Sequence, residues 1–515
     1  MLGKIGNLKD MFGQKEQHPL ADGRELRRIL AELPTNSPFK ALDEVVGWLE
    51  SVKIAQDFPG ERLFDTVRQL DEATQAHLRR LAKDYLHTQR LSRSDEKRLW
   101  AICHGCWELL AELYERCLLL AGEKGKPADQ MKAALPLLCA RLIVALGGIL
   151  RWEQFHYGPS PGTLWQRLGG AMLAAEVAGV ATKALTLYPQ QQGVSSPQQE
   201  YLKVLAFQAA SMDSLLPLEI DLAERFIVHF LPGFVFGKDA THDSVYWVDL
   251  ALPQPPQRLA RMPAGVTPTQ RFFKPVAAHQ QIQELLKRLE LGGEVPSEIN
   301  LGGQFSPKLL IPVLRHLAAY LAPVPPQRSH ARHRVKHRMS VLNGLINAFV
   351  VFSGEFGGRP AGLQMESWVV DNVSRGGFGA LLNTIPAEWL KVGALIAMQP
   401  EGGENWLLGI IRRYRRDSEL EARVGIQTLA MQVVSVELKP RTASSYAAAA
   451  GIPGLLIRDG NAEGEVRVVL PPISFDLRES LEYIQDGRTF LLSPVALAEQ
   501  TADYEVARYR LRVVD

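Results

Sequence analysis

VVDNVSRGGFGALL, residues 369–382, is the most informative segment of the C-terminal half. An apolar run leads into Asn372-x-Ser374-x-x-Gly377, and a second apolar run follows. Asn and Ser side chains hydrogen-bond nearby backbone in turns, and Gly adopts positive φ without strain. The segment therefore predicts a tight β-hairpin, although a hairpin alone says little about function.

The run QRSHARHRVKHR, residues 327–338, is a concentrated basic segment before a strand that we expect to begin near Ser340. It contains no acidic residue, and its cations are Arg328, Arg332, Arg334, Lys336 and Arg338. It is interpreted either as a solvated basic linker or as a nucleic-acid-binding arm. The absence of interleaved aromatic residues disfavours the second interpretation.

Taken together, these two segments resemble the PilZ domain, the bacterial receptor module for cyclic di-GMP. The family signature is RxxxR, then (D/N)xSxxG, then a late hairpin. Arg334-x-x-x-Arg338 and Asn372-x-Ser374-x-x-Gly377 occur here in that order, followed by GIIR at 409–412 and VGIQ at 424–427. The resemblance covers about residues 328–435. The late hairpin lacks the usual aromatic residue, and Arg328-x-x-x-Arg332 offers a second register for the first motif.

This resemblance implies a cyclic di-GMP site on an antiparallel barrel. Arginine suits such a ligand because its planar fork binds phosphate and the guanine O6 and N7 atoms bidentately. The implied ligand-binding residues lie on a flexible lead-in and on the hairpin: Arg334, Arg338, Asn372, Ser374 and Gly377, with Arg332 and Lys336 as further phosphate contacts. Arg375 is able to face either way.

The region 24–230 is predicted to be α-helical. Its best segment, 94–121, has apolar residues at steps of three and four, and Ser94 is a candidate N-cap. Further helices are expected over 132–150, 164–187, 198–230, 276–291 and 306–322. The residues of the helical region do not show a resemblance to any family that we recognise.

The predicted fold class is a multi-domain α+β chain: a helical N-terminal region, an antiparallel PilZ-like β-barrel and a small β-rich C-terminal region. Strands are expected over 341–352, 368–370, 406–414, 423–429, 465–470, 489–493 and 505–514. Arg508, Arg510 and Arg512 alternate with apolar residues and should line one strand face. The predicted division is a flexible tail 1–23, a helical domain 24–230, a mixed connector 231–326, the barrel 327–440 and the β-rich region 441–515.

Composition limits the remaining function classes. The chain has 515 residues, a net charge of +2 and 4 cysteines, which excludes a globally basic nucleic-acid binder and a disulfide scaffold. No secretory signal or spanning segment is expected, so we expect a cytoplasmic protein. Cys103 and Cys106 are interpreted as core residues rather than a metal site, and His333 and His337 as an improbable metal pair. No GxSxG, Walker A, HExxH or paired-carboxylate motif is recognised, and nothing resembles the GGDEF or EAL signatures of enzymes that make or degrade cyclic di-GMP.

The leading functional hypothesis is a non-enzymatic cyclic di-GMP receptor. Ligand binding would change the contacts that the helical region makes with a protein partner, in motility, adhesion or biofilm control. The alternatives are a PilZ-like scaffold that binds no ligand, a nucleic-acid binder using 328–338 and, more distantly, a nucleotide hydrolase.

Overall fold

The computed structural model describes residues 18–88, 91–191, 193–327, 330–354, 364–385, 389–441 and 451–514. They form two compact units. The first unit ends at Pro326 and the second begins at Gln327, and the second also includes Tyr157–Pro159 and Asp213–Leu216. The first unit is mainly helical and the second mainly β-sheet, as the fold-class prediction required.

Each predicted helical segment contains a helix, but the segment 164–187 is helical only to Val177, and the segment 198–230 is divided into two helices. Its helices are α1 (Gly23–Ala31), α2 (Pro38–Ile54), α3 (Gly60–His87), α4 (Arg93–Ala121), α5 (Lys126–Phe155), α6 (Gly162–Val177), α7 (Pro197–Ala209), α8 (Pro217–Phe230), α9 (Val276–Glu290) and α10 (Pro307–Tyr320). Ser92, rather than Ser94, caps α4, since its Oγ accepts the Asp95 backbone N–H at 3.1 Å. Most residues predicted to line the apolar stripe of α4 are in the core, including Cys106, Leu113 and Cys117, whereas Ile102 and Leu120 are only half-buried.

Helix α5 departs from the expectation that no segment has the dimensions of a membrane span. It has 30 residues, and its most apolar window is hydrophobic enough to cross a membrane by length and composition alone. In the structure 67% of that window is buried within the protein. The helix packs against α3, α4, α6 and α7, which accounts for its apolar composition without a membrane.

A small antiparallel sheet lies between α8 and α9 in the sequence. Its strands are β1 (Val235–Gly237), β2 (Tyr246–Asp249), β3 (Gln257–Arg258) and β4 (Gln270–Lys274), in the order β1-β4-β2-β3. The sequences LPGFVFG (231–237) and SVYWVDLAL (244–252) indicate short strands, and β1 and β2 lie within them. Arg271 of β4 is buried beside Glu176 of α6, to which its Nε donates at 2.8 Å.

The second unit begins with a closed antiparallel barrel of six strands. These are β5 (His333–Asn343), β6 (Glu366–Ser374), β7 (Gly377–Leu382), β8 (Leu395–Pro400), β9 (Leu407–Arg416) and β10 (Ala422–Ala430), in the order β10-β7-β6-β5-β8-β9. The prediction of a strand over 341–352 was wrong, because β5 ends at Asn343 and helix α11 (Gly344–Phe352) follows. Gly344 has a φ of +80°, which breaks the strand where the helix starts.

A second closed barrel of six strands follows, where only a small β-rich region had been predicted. Its strands are β11 (Val433–Pro440), β12 (Ile452–Ile457), β13 (Glu465–Leu470), β14 (Leu481–Gln485), β15 (Arg488–Gln500) and β16 (Glu505–Val514), in the order β11-β12-β13-β16-β15-β14. Strand β11 therefore pairs within this barrel rather than the first. Arg508, Arg510 and Arg512 are all exposed on β16, as their alternation predicted.

The two barrels share an apolar interface and are joined by only Met431 and Gln432. Leu345 and Ala348 of α11 belong to this interface cluster, together with residues of both barrels such as Leu395, Leu408, Leu455, Val469 and Tyr504. At the edge of the interface Arg412 makes a bidentate ion pair with Glu499, at 2.8 and 3.0 Å.

Candidate functional site

Strands β6 and β7 form the predicted hairpin, which carries the second motif. Ser374 Oγ donates to the Gly377 carbonyl at 3.3 Å and closes the turn. A Cβ atom on Gly377 would lie 1.9 Å from the backbone oxygen of Ile426 in β10. The hairpin end therefore requires glycine there, because the neighbouring strand passes too close for any side chain.

The two arginines of the first motif lie within β5 and not on a flexible lead-in before it. Arg334 is paired with Asn372 across the β5–β6 ladder, and Arg338 with Val369. The predicted strand start near Ser340 was thus wrong by several residues. The ladder shifts register between Arg334 and His337, which places one extra residue on β5.

The alternation of side chains places the motif on the outer face of the barrel. Asn372 is paired with Gly379, while the next residue, Ala380, lies in the barrel core. Paired residues in a sheet point to the same side, and successive residues to opposite sides. Asn372 and Ser374 therefore face outward beside Arg334, and Val335 and Phe378 pack inward.

Asn372 lies between an arginine and a glycine on its two neighbouring strands. A Cβ on Gly379 would lie 2.2 Å from Asn372 Nδ2, so the amide occupies space that only a glycine leaves. The same Nδ2 donates to the Asp371 carboxylate. The Oδ1 of Asn372 has no donor among the described residues, so this atom is available as a hydrogen-bond acceptor.

Arg334, Asn372 and Gly379 form a row of outward-facing positions, and this row continues across the sheet to residues that were not predicted. Gly379 is paired with Gly425 of β10, and Gly425 with Arg413 of β9. A Cβ on Gly425 would lie 3.2 Å from the Cβ of Arg413. Sequence analysis did not assign Gly379, Gly425 or Arg413 to the site, because only the strand register places them beside Asn372.

The remaining predicted cations surround this row. Arg332 immediately precedes β5, Lys336 is exposed at the register shift, and Arg375 is exposed in the hairpin turn. Arg338 is exposed, and its Nη1 donates to Ser367 Oγ at 3.3 Å. Arg328, which would define the alternative register of the first motif, lies outside the described residues.

The outer face therefore combines several guanidinium groups with amide and hydroxyl groups from the hairpin. Guanidinium groups bind phosphates bidentately and stack on flat bases, and the amide and hydroxyl supply directional hydrogen bonds. Such a face can hold an anion with planar ring systems. Among the described residues, no group of three or more His, Cys, Asp or Glu side chains is placed to hold a metal ion.

The CxxC segment belongs to the helical core, as predicted. Cys103 and Cys106 are fully buried on α4. Burial raises the pKa of Cys103 to about 12, with a small opposing effect of Arg151. A thiol with so high a pKa is a poor nucleophile and a poor metal ligand.

The helical region matches a known family model. Residues 24–239 match the model described as "Cyclic-di-GMP receptor FimW, N-terminal domain". The match covers about two-fifths of the chain and ends before the first barrel, and no PilZ family match accompanies it. No curated protein matches the chain.

Proposed function

We propose that this protein is a non-enzymatic receptor for cyclic di-GMP, and that the ligand lies on the outer face of the first barrel. The observation that carries the proposal is the pairing of Arg334 with Asn372, which brings the two PilZ-like motifs side by side. The likeness of residues 24–239 to the N-terminal domain of a cyclic di-GMP receptor supports it independently, because that region contains neither motif.

The chemistry of the ligand fits the groups on this face. Cyclic di-GMP has two phosphates and two guanines. Arg334 and Arg338 would bind phosphate or the guanine edge, and Asn372 Oδ1 would accept from a guanine N–H. Arg332, Lys336 and Arg375 would add charge around the ligand, and Ser374 would add a hydroxyl donor. The two arginines lie on a paired strand, so the ligand would meet a largely preorganised surface.

The output of the receptor is proposed to lie in the helical unit. Ligand binding would change the contacts of this unit with a protein partner in the cytoplasm, in motility, adhesion or biofilm control. A ligand shifts such an equilibrium only by binding one arrangement more tightly than the other. The partner would therefore bind with a different affinity when cyclic di-GMP is present, and the same coupling would change the affinity for cyclic di-GMP.

Titration calorimetry on the full chain tests the receptor proposal. Cyclic di-GMP is titrated against the parent and the Arg334→Ala, Arg338→Ala double variant, with GTP and cyclic di-AMP as ligand controls. Arg508→Ala, Arg512→Ala is a matched control, because these arginines have the same sequence spacing and occupy exposed positions on a strand of the second barrel. We expect saturable binding of cyclic di-GMP by the parent and the control. In the site variant we expect a loss of roughly 100-fold or more, as follows from removing two charge-assisted contacts.

Two other results would point to a different function. An absence of cyclic di-GMP binding by the folded parent would leave a ligand-free scaffold. Binding of long RNA or DNA that weakens steeply with salt and does not respond to cyclic di-GMP would favour a nucleic-acid binder that uses residues 328–338. Equal binding by the site variant and the parent would show that the ligand binds elsewhere.

A further inference from the structure

A cavity inside the helical unit combines apolar walls with several cations. Its volume is about 170 Å³, and α3, α4, α5, α7 and α8 all contribute to its lining. Trp107 and Phe207 supply aromatic walls, and the charged lining residues are Arg79, Arg151, Lys203 and Glu224. This cavity has no residue in common with the barrel site.

The charges that line the cavity do not cancel. Glu224 accepts from Arg151 Nη1 at 3.2 Å. Lys203 is paired with Glu200 at 2.5 Å. Burial alone would lower the pKa of Lys203, but Glu200 and Glu224 outweigh it and raise that pKa, so the ammonium stays charged. Arg79, which is exposed, has no side-chain partner among the described residues, so one of the three lining cations is left without a carboxylate partner.

Two buried donors at the cavity lack acceptors. Trp107 is 4% exposed, and its Nε1 has no hydrogen-bond partner among the described residues. The Nε of Arg151 is also buried without a partner, although Nη1 of the same guanidinium is used. Both groups are donors only. Because buried polar groups in proteins are nearly always hydrogen-bonded, this pair indicates that an acceptor belongs in the cavity.

Close packing fixes the position of Trp107. A Cβ on Gly148 would lie 2.5 Å from the Cδ2 of the indole, so the ring lies against the backbone of α5 where only a glycine allows it. On the same helix, a Cβ on Gly147 would lie 2.9 Å from Val204. The aromatic wall is thereby held in place before any ligand enters, which lowers the entropic cost of binding.

We propose that this cavity binds a small organic anion, consisting of one carboxylate or phosphate group on an apolar body of about one ring. The anionic oxygens accept from Arg151 and Trp107, and the apolar body packs against Trp107 and Phe207. A ring of this size matches the volume, because an apolar cavity of about 150 Å³ holds one benzene molecule. The site would give the helical domain a ligand of its own, separate from the barrel ligand.

The test uses the full chain and two pairs of probes. Benzoate and phenyl phosphate carry the anion, and benzamide and benzyl alcohol are their uncharged counterparts. Binding is followed by ligand-observed NMR and calorimetry. We expect saturable binding of at least one anion and none of the uncharged probes, and the preferred anion distinguishes a carboxylate ligand from a phosphate ligand.

Two variants and one matched control locate the binding. Trp107→Phe keeps an aromatic wall but removes the donor, and should weaken binding roughly tenfold. Arg79→Gln removes an exposed cation at low risk to folding, and should weaken binding roughly two- to fivefold. Arg80→Gln changes the same charge on the adjacent residue, which does not line the cavity, and should have no effect.

The site is independent of the proposed barrel function. The Arg334→Ala, Arg338→Ala variant should bind the anion as the parent does, so failure of one site is distinguishable from failure of the other. A folded parent that binds neither anion at millimolar concentration overturns the proposal. Equal weakening by Arg79→Gln and Arg80→Gln overturns it as well, because it would indicate attraction by the general surface charge.

Discussion

Arg334 and Asn372 occupy opposed positions in the antiparallel ladder between β5 and β6. Residues paired in this way have Cβ atoms about 4.5–5.5 Å apart. A single phosphate or base edge can therefore contact both side chains. The two motifs are separated in the sequence but adjacent on the barrel, and the expected roles of Asn372 and Gly379 depend on this adjacency.

Asn372 should contribute to cyclic di-GMP binding through its side-chain oxygen. Its Nδ2 is engaged by Asp371, and the oxygen has no donor among the described residues. Asn372→Ala should weaken binding roughly tenfold, as expected for a lost hydrogen bond to a charged or buried partner. Asn372→Asp should bind more tightly than Asn372→Ala, because a carboxylate oxygen also accepts, but less tightly than the parent, because the hydrogen bond to Asp371 is lost. Calorimetry checks both, and an Asp variant as weak as the Ala variant would contradict the acceptor role.

The two glycines of the hairpin should respond differently to alanine. At Gly379 the new Cβ meets the end of the Asn372 side chain, which can rotate away, whereas at Gly377 it meets a backbone oxygen of β10. Gly379→Ala should leave the unfolding free energy nearly unchanged and weaken ligand binding. Gly377→Ala should lower the unfolding free energy by about 1–3 kcal/mol. Urea unfolding and titration of both variants separate the effects, and equal unfolding free energies would show that the strands move apart freely.

The buried ion pair of Arg271 and Glu176 should make the helical unit sensitive to acid. Burial alone would raise the pKa of Glu176, but Arg271 and then Lys238 outweigh it, and the pKa is lowered from 4.5. A carboxyl with a lowered folded-state pKa stabilises the fold above the unfolded-state pKa. That contribution is lost as the pH falls through the lower folded-state pKa.

Glu176→Gln should therefore cost about 3 kcal/mol of unfolding free energy at pH 7, because it leaves Arg271 buried without a counter-charge. The difference from the parent should begin to shrink as the pH falls below about 4.5, where the unfolded chain takes up the proton. It should disappear only below the lower folded-state pKa, where the folded parent is protonated too. Urea unfolding between pH 7 and 3 measures it. Glu32→Gln, which affects only an exposed pair with Arg28, is the control. A difference that stays constant with pH would argue against the ion pair as its source.

The ion pair between Arg412 and Glu499 should add little to the cohesion of the two barrels. Both side chains are partly exposed, at 41% and 29%, and solvent screens such pairs. A double-mutant cycle with Arg412→Ala and Glu499→Ala should give a coupling free energy of about 0.5–1 kcal/mol that falls with added salt. Leu408→Ala, in the apolar interface, should cost about 2–5 kcal/mol. A coupling energy larger than the leucine effect would mean that the ion pair dominates the interface.

The helices and strands whose apolar residues recur at a regular spacing were predictable from the sequence. Helix α4 was predicted over 94–121 and spans Arg93–Ala121, because one face is buried and the other solvated. Strand β13 was predicted with its observed bounds, Glu465–Leu470. The prediction of a strand over residues 341–352 was wrong for the opposite reason. Helix α11 packs between the two barrels, so its apolar residues show no clear helical period, and an apolar run without a period does not distinguish helix from strand.

The site was predictable as a set of residue types but not as a geometry. Arg334, Arg338 and Asn372 were identified from their motifs. The register shift between Arg334 and His337 depends on the pairing of distant strands, and no local pattern encodes it. Gly379 could not be assigned from the sequence for the same reason, because its role depends on Asn372, which lies beside it on the neighbouring strand.

The short join at Met431 and Gln432 has a consequence for the way this gene can be rearranged. A recombination event that moved the first barrel alone would separate α11 from the Leu455 and Tyr504 surface it packs against, leaving both parts with exposed apolar faces. Such products would tend to aggregate and be lost. Residues 333–514 should therefore be inherited as one unit, and related chains that contain the first barrel should also contain the second.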